Sequence, residues 1–226
     1  MKKFAVAAVA AVVVGWAGTA SATPILISSG GSYSTDFFWA AAGANPPNDL
    51  TAILDFDIAT LSPTQIVVDF KLTNTTVGVG TITAFGFSTD PDASGVAGFT
   101  TGSGDLAGDA DVFDNFAMGQ IPALASIEVC MQAGPILSQC SGGGLGSGLA
   151  PGAFDGFRVT LTGTGFADGI TSFDNFGVKF QGPPDSFEFY SNGGGGGPAV
   201  PEPVSIALLG SGWLAFLSAR ALRKKV

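Results

Sequence analysis

The sequence predicts an all-β domain, an antiparallel β-sandwich of jelly-roll or immunoglobulin-like type, with a predicted apolar helix at each chain end. The chain is rich in glycine (34 residues) and phenylalanine (19 residues), which favours short strands and tight turns over helices. Strand-like segments recur between clusters of Gly, Pro, Asn and Asp. No convincing helix lies between the two terminal segments, so parallel β-α-β units are excluded and the strands must pair antiparallel.

Two segments, 65–73 and 155–163, show the clearest strand signal because apolar and polar residues alternate along them. The alternation assigns Val67, Val159 and Leu161 to a core face and their neighbours to water. Further strands are predicted at 25–28, 52–58, 81–88, 125–130, 174–181 and 186–190. The resulting eight or nine strands fit one domain at 23–190.

The N-terminal segment 1–22 has two lysines, an apolar run from Phe4 to about Trp16 and the small residues Ala20 and Ala22. This order is typical of a secretory signal peptide, cut by signal peptidase so that the mature protein begins at Thr23. The alternative is an uncleaved membrane anchor.

The C-terminal end has three parts that follow a Gly-rich linker at 191–200. The segment 201–226 contains a Pro-Glu-Pro tripeptide, an uncharged stretch at 204–219 and a basic tail. A helix over 204–219 would cover about 24 Å, slightly less than a hydrocarbon core. The positive-inside rule then leaves the basic tail in the cytoplasm and everything upstream outside. The residues are Pro201, Glu202 and Pro203 for the tripeptide, and Arg220, Arg223, Lys224 and Lys225 for the basic stop.

This three-part end resembles the PEP-CTERM sorting signal of Gram-negative bacteria. The resemblance implies processing near the tripeptide by a membrane-embedded exosortase, and association with extracellular polysaccharide or biofilm matrix. It therefore implies an inner-membrane-anchored precursor, held by the C-terminal helix, that is later found at the cell surface or in the matrix. It implies nothing about the fold. One departure is the interrupted spacing from Arg220 to Arg223, and an ordinary tail anchor is the alternative.

Charge excludes one class of partner. Between residues 23 and 200 there are three basic residues and seventeen acidic ones, a net charge of −14. Such a field repels phosphate backbones, so no nucleic-acid partner is expected. The chain contains no histidine, which removes the commonest general base and most zinc sites. No cofactor is predicted, and carboxylate chemistry or hard-cation binding is what the composition leaves.

Cys130 and Cys140 are the only cysteines, and an exported protein meets an oxidising compartment, so we predict a disulfide between them. A redox site is less consistent with their spacing, which lacks the C-x-x-C pattern. The stretch from Glu128 to Thr162, with both cysteines and the Gly-rich run 141–152, is similar to a group of PEP-CTERM proteins sometimes called the cistern family.

The acidic stretch 104–115 holds four aspartates that offer a calcium site as a minority hypothesis: Asp105, Asp109, Asp111 and Asp114. Phe113 stands where an EF-hand would place a third oxygen ligand, and no Glu closes the loop. Solvated loop acids are therefore the main expectation, with Asp109, Asp111 and Asp114 kept as weak calcium candidates.

Two functions remain for the domain between the terminal signals. The first is a non-catalytic module that associates with polysaccharide or acts in adhesion, for which Tyr33 and Trp39 are candidate sugar-stacking residues, although core packing explains them as well. The second is a carboxylate-dependent glycan hydrolase, for which Asp55 and Asp57 lie on one face of a predicted strand. The absence of histidine and the scarcity of glutamate favour the first, so no enzyme activity is expected.

Overall fold

The computed structural model describes residues 24–41, 48–101, 109–134, 140–141, 146–182 and 185–191, and these residues confirm the all-β prediction. They form two antiparallel sheets. The strands are β1 (Ile25–Leu26), β2 (Ser32–Trp39), β3 (Leu50–Ser62), β4 (Gln65–Asn74), β5 (Thr81–Asp90), β6 (Ala93–Thr101), β7 (Phe113–Met118), β8 (Val129–Ala133), β9 (Phe154–Gly163), β10 (Ser172–Gln181) and β11 (Ser186–Tyr190).

The six-stranded sheet has the order β1-β10-β5-β8-β7, with β11 also paired to β10. The five-stranded sheet has the order β2-β3-β4-β9-β6. β1 pairs with β10 at Ser172 and Phe173, whereas β11 pairs with it from Gly177 to Gln181. Since β5 occupies the other edge of β10, β1 and β11 follow one another along a single edge.

Phenylalanine rings fill the space between the sheets. Phe70 of the five-stranded sheet lies 5.6 Å from Phe85 and 5.2 Å from Phe87, measured between ring centroids. Phe56 lies 5.6 Å from Phe173 in the same way. Packed sheets are separated by about 10 Å, a gap that large apolar rings fill well. The two sheets therefore share one core and form a sandwich.

The outer face of the six-stranded sheet is covered by a second, smaller layer of the chain. The buried cluster between layer and sheet combines Ile121, Leu124, Ile127 and Cys140 of the layer with Ala84 and Cys130 of the sheet. A β-carbon on Gly86 would lie 2.5 Å from Ile127, and one on Gly177 would lie 2.5 Å from Leu124. Only glycine allows this layer to approach the sheet so closely.

The predicted disulfide is confirmed. Cys130 on β8 and Cys140 are bonded, with their α-carbons 6.1 Å apart, and both side chains are buried. The bond ties the covering layer to the six-stranded sheet.

The five-stranded sheet keeps one face on the core and one outside, as its alternation predicted. On β4 the inward side chains are Ile66, Val68, Phe70 and Leu72. The assignment of Val67 to the core was wrong: it is half-buried on the outer face, opposite Thr160. Two adjacent valines made the phase of the alternation ambiguous, and the inward Phe70 and Leu72 decide it.

Most predicted strands are present, and three strands were not predicted. The segment 125–130 was placed too early, because residues 125–128 belong to the covering layer and β8 begins at Val129. The unpredicted strands are β2, β6 and β7. β6 is a Gly-rich edge strand with two register shifts, which removes the period-two pattern that identifies a strand.

Two predicted elements lie outside the described residues: the signal peptide 1–22 with the cleavage site before Thr23, and the sorting segment 201–226. The linker is described only at Ser191, and Asp105 is also outside. Within the described part of the chain, no helix has the length and apolarity needed to cross a membrane.

The described chain enters and leaves the domain at neighbouring points. Pro24 precedes β1, in which Ile25 pairs with Phe173 of β10. At the other end, the backbone N–H of Ser191 donates to the carbonyl oxygen of Phe176, also on β10, at 2.7 Å. The two ends of the domain therefore lie along the same short stretch of one edge of β10.

Candidate functional site

Three carboxylates meet at the end of the sandwich where β4 finishes and β9 begins. They belong to Asp109, Asp111 and Asp155, and one oxygen from each lies within 4.8 Å of the others. Of the predicted calcium candidates, Asp109 and Asp111 are thus brought together. Asp114 is not part of the group: it is exposed and its Oδ1 accepts a hydrogen bond from the side-chain amide of Asn115 at 2.5 Å.

Backbone amides position two of the three members, Asp155 and Asp109. The Oδ2 of Asp155 accepts hydrogen bonds from the N–H groups of Val112 and Phe113 at 2.8 and 2.7 Å. The carboxylate of Asp109 accepts from the N–H of Gly156 at 3.1 Å. Residues 109–113 run beside the start of β9, and these hydrogen bonds hold the loop against the strand.

Asp155 was missed by sequence reasoning, although a signal for it exists. It takes an inward position in the same alternation as Phe157, Val159 and Leu161, and it is only 1% exposed. A charged residue on the core face of a strand is unusual unless it is paired or hydrogen-bonded. An acidic residue at an inward position of the alternation is therefore the sequence signal that could have identified Asp155.

Burial raises the pKa of Asp155 from 3.8 to about 7, and the neighbouring Asp109 adds to the increase while the amides of Phe113 and Val112 oppose it. Three acids this close either share protons or hold a hard cation. Ca²⁺ takes six to eight oxygen ligands, so three carboxylates alone make an incomplete site. Weak calcium binding therefore stays a prediction.

A second group of acids lies at the opposite end, around Glu128 in the covering layer. Burial raises the pKa of Glu128 to about 7, with further contributions from Asp92 and Asp174. Its Oε2 accepts a hydrogen bond from the N–H of Thr89 at 3.2 Å. Next to Thr89 on β5, the hydroxyl of Ser88 donates a hydrogen bond to Asp174 on β10 at 2.5 Å.

The catalytic candidates Asp55 and Asp57 are on the outer face of the five-stranded sheet. Both are exposed, and the hydroxyl of Ser34 donates to Asp55 at 2.8 Å. Asp57 lies opposite Asp69 on β4, and Asp69 receives two hydrogen bonds of 2.6 Å from Arg158 on β9. The structure thus places the two candidates on an open, polar sheet face.

Tyr33 and Trp39 have different environments. Tyr33 stacks on Phe56 with ring centroids 5.2 Å apart, and its hydroxyl accepts a hydrogen bond from the N–H of Ser28 at 2.8 Å, so it is used for packing. Trp39 remains 38% exposed. Its ring contacts those of Phe187 and Phe189, with centroid distances of 6.2 and 5.4 Å.

No family model matches the chain, and searches against curated proteins and solved structures return no match either. The sorting motif and the basic stop lie outside the described residues.

Proposed function

We propose that this chain is an exported cell-surface or extracellular-matrix protein, sorted by an exosortase, whose β-sandwich associates with polysaccharide and has no catalytic role. Signal peptidase and the exosortase are its processing enzymes. The C-terminal helix anchors the precursor in the membrane before processing.

The observation that carries the export part of the proposal is the bond between Cys130 and Cys140. Disulfides persist in oxidising compartments and are rare in the cytosol. The bond is buried and holds the covering layer against its sheet. A structural role of this kind is typical of secreted domains.

The arrangement of the domain ends supports the sorting part. Pro24 and Ser191 lie along the same edge of β10, next to Phe173 and Phe176. The described chain therefore leads toward the predicted signal peptide 1–22 and toward the predicted helix 204–219 from the same side of the domain. The folded sandwich would therefore not lie between the two segments while the precursor is held at the membrane.

The strand pairing supports the jelly-roll alternative over the immunoglobulin-like one. β1 pairs with β10, β4 with β9, and β5 with β8, and Phe99 of β6 contacts Phe116 of β7. These pairs are nested, as in one long hairpin rolled into two sheets, which is how a jelly roll is built. Lectin domains use this architecture, although fold alone does not assign a ligand.

The placement of the acids supports a non-catalytic role. A glycan hydrolase needs two carboxyl groups facing each other across a bound sugar. Asp55 and Asp57 instead extend from an open sheet face, and Asp155 is only 1% exposed, out of reach of a polymer.

One observation favours the alternative of a carboxylate-dependent glycan hydrolase. Glu128 is partly exposed and has a pKa near 7 beside Asp92, and a raised pKa is what a general acid requires. A hydrolysis assay on a glycan panel with the wild type and Glu128→Gln tests it, with Asp57→Asn as the control. Turnover lost only in Glu128→Gln would replace the non-catalytic proposal.

The main proposal is tested by intact-mass measurement of the protein released from the surface of a Gram-negative host that has an exosortase. The expected species lacks residues 1–22 and residues from about Val204 onward, and it contains no free thiol. A tail that continues through Val226, unchanged when the exosortase is deleted, would leave a plain tail anchor instead.

A further inference from the structure

Exposed apolar side chains gather at the end of the sandwich where β2 and β4 finish. Trp39 is 38% exposed, Val77 85% and Val79 41%. Trp39 pairs with Leu50 at the start of β3. The N–H of Val79 donates to the side-chain oxygen of Asn48, two residues before Leu50, at 3.1 Å. The three side chains therefore belong to one surface, named here the Trp39 patch.

The tryptophan of this patch is held from behind. Its ring contacts Phe187 and Phe189 of β11, and Phe189 is stacked on Phe180 at 5.6 Å with the rings 4° from parallel. An aromatic ring fixed before binding loses little conformational entropy when a ligand covers it. The arrangement is thus suited to binding.

The charges of the domain restrict the ligand. Its three basic residues are all engaged: Arg158 with Asp69, Lys179 with Glu188, and Lys71 over the ring of Phe154. The acidic residues greatly outnumber them, so the field around the domain repels polyanions. Every basic side chain that the structure describes in the domain already has a partner, so a uronate, sulfate or phosphate group would have to compete for it.

We propose that the Trp39 patch binds an uncharged polysaccharide, an inference that rests on the polysaccharide association proposed above. Pyranose rings present apolar C–H faces that stack on aromatic side chains. A polymer can cover Trp39 with one sugar and reach Val77 and Val79 with the next.

Tryptophan fluorescence gives a direct readout. The chain has three tryptophans, Trp16, Trp39 and Trp213, so the full chain with Trp16→Phe and Trp213→Phe reports Trp39 alone. The probes are oligosaccharides of glucose, mannose and N-acetylglucosamine, with an alginate oligomer as the polyanion, in a zwitterionic detergent that contains no sugar. A saturable blue shift is expected with at least one uncharged probe and none with alginate. The affinity should stay constant between about 0.05 and 0.5 M NaCl, because no ion pair forms.

Variants locate the site. Trp39→Phe and Val77→Ser, measured by calorimetry, should each weaken binding, Trp39→Phe by about tenfold or more, as is common for a central aromatic residue. Ile170→Ser is the matched control, because Ile170 is 68% exposed at the opposite end. It should bind as the wild type does. Unchanged thermal unfolding of Val77→Ser separates loss of contact from loss of fold.

Each other outcome overturns the inference in a distinct way. If an uncharged glycan binds but Trp39 emission and the Val77→Ser affinity are unchanged, the site is elsewhere and the proposed function remains. If no glycan of any charge binds, the polysaccharide association itself fails. If sedimentation shows a dimer that Val77→Ser disrupts, a second copy of the chain covers the patch instead.

Discussion

The two outer faces of the sandwich differ in what lies over them. The six-stranded sheet is covered by the layer containing Ile121, Leu124 and Ile127, which the disulfide ties to β8. The five-stranded sheet presents charged and polar side chains to the outside, Asp55 and Asp57 among them. Strands β5 and β8 of the first sheet are thus buried on both sides, whereas the second sheet is buried on one side only, and their sequences follow different rules.

The difference appears in the burial of successive residues. β4 alternates strictly between buried and half-buried positions, as expected for a strand with one solvated face. β8 is buried at every position, and β5 from Ile82 to Thr89. Glycine at 86 and 177 provides the space that the covering layer needs.

The largest effect is expected for Gly86→Ala under the covering layer. The added β-carbon would lie 2.5 Å from Ile127 and 2.7 Å from the backbone oxygen of Val129, so the layer must move. We expect a loss of about 3 kcal/mol or more in the free energy of unfolding, measured by urea denaturation.

The matched control is Gly98→Ala on β6 of the five-stranded sheet. Its β-carbon would meet Thr160 at 3.6 Å, an ordinary contact, so we expect a change below about 1 kcal/mol. Equal losses in the two variants would mean that the covering layer leaves no less space above its sheet than solvent leaves above the five-stranded sheet.

Removal of the disulfide should loosen the covered side selectively. The pair closes a loop of ten residues, for which chain entropy gives roughly 2 to 3 kcal/mol. In Cys130→Ala/Cys140→Ala, hydrogen exchange should accelerate in the layer and β8, whereas β3 and β4 should keep their protection. Uniform acceleration across both sheets would show that the layer is part of one cooperative unit with the whole sandwich.

Buried and exposed acids should differ in their effect on pH-dependent stability. The pKa of Asp155 is raised from 3.8 to about 7 in the folded protein, so the folded state binds its proton more tightly than the unfolded state does. Its stabilising contribution is complete below about pH 4 and is lost as the pH rises through 7.

We expect a decline on the order of 2 kcal/mol from this group between about pH 5 and 8, allowing for partial screening. Asp155→Asn keeps an acceptor for the two amides and should flatten the decline, leaving the part that belongs to Glu128. Asp57→Asn, which removes one carboxylate from the open face, is the matched control. Urea denaturation across this pH range measures all three proteins, and a stability that rises with pH would contradict the assignment.

Sequence reasoning found strands in both sheets, and it missed β2 and β6 of the sheet that is buried on one side as well as β7 of the covered sheet. The alternation in β4 and β9 was readable, whereas the start of β8 was misplaced because buried residues continue from the covering layer into the strand. β7 was interpreted as part of an acidic loop, since Asp114 and Asn115 interrupt its apolar residues. Alternation of apolar and polar residues requires one buried and one solvated face, so it no longer locates the boundary of a strand when both faces are apolar.

The candidate site shows a related limit. The disulfide could be predicted because the chain has only two cysteines, and Asp109 with Asp111 because they are close in sequence. Asp155 joins them through the packing of β9 beside residues 109–113, a non-local contact that spacing along one sequence does not encode. Trp39 could be named as an aromatic residue, but its exposure follows from the position of β11.

The smallest effect is expected on the open face, for the ion pair between Arg158 and Asp69. Both groups are partly exposed, with side-chain exposures of 44% and 30%, so solvent screening limits their contribution even though the geometry is bidentate. The pair also has a neighbour, because Asp69 lies directly opposite Asp57 across β3 and β4. Like charges in that position repel.

Arg158→Met should therefore lower the free energy of unfolding by about 0.5 kcal/mol, since it removes the ion pair and leaves the repulsion. Asp69→Asn should be close to neutral, since it removes both. Denaturation at low and high salt distinguishes the two variants: the deficit of Arg158→Met should shrink as salt screens Asp57 from Asp69. Equal losses in both variants, independent of salt, would mean that Arg158 acts through the packing of its side chain and that charge on this face contributes nothing.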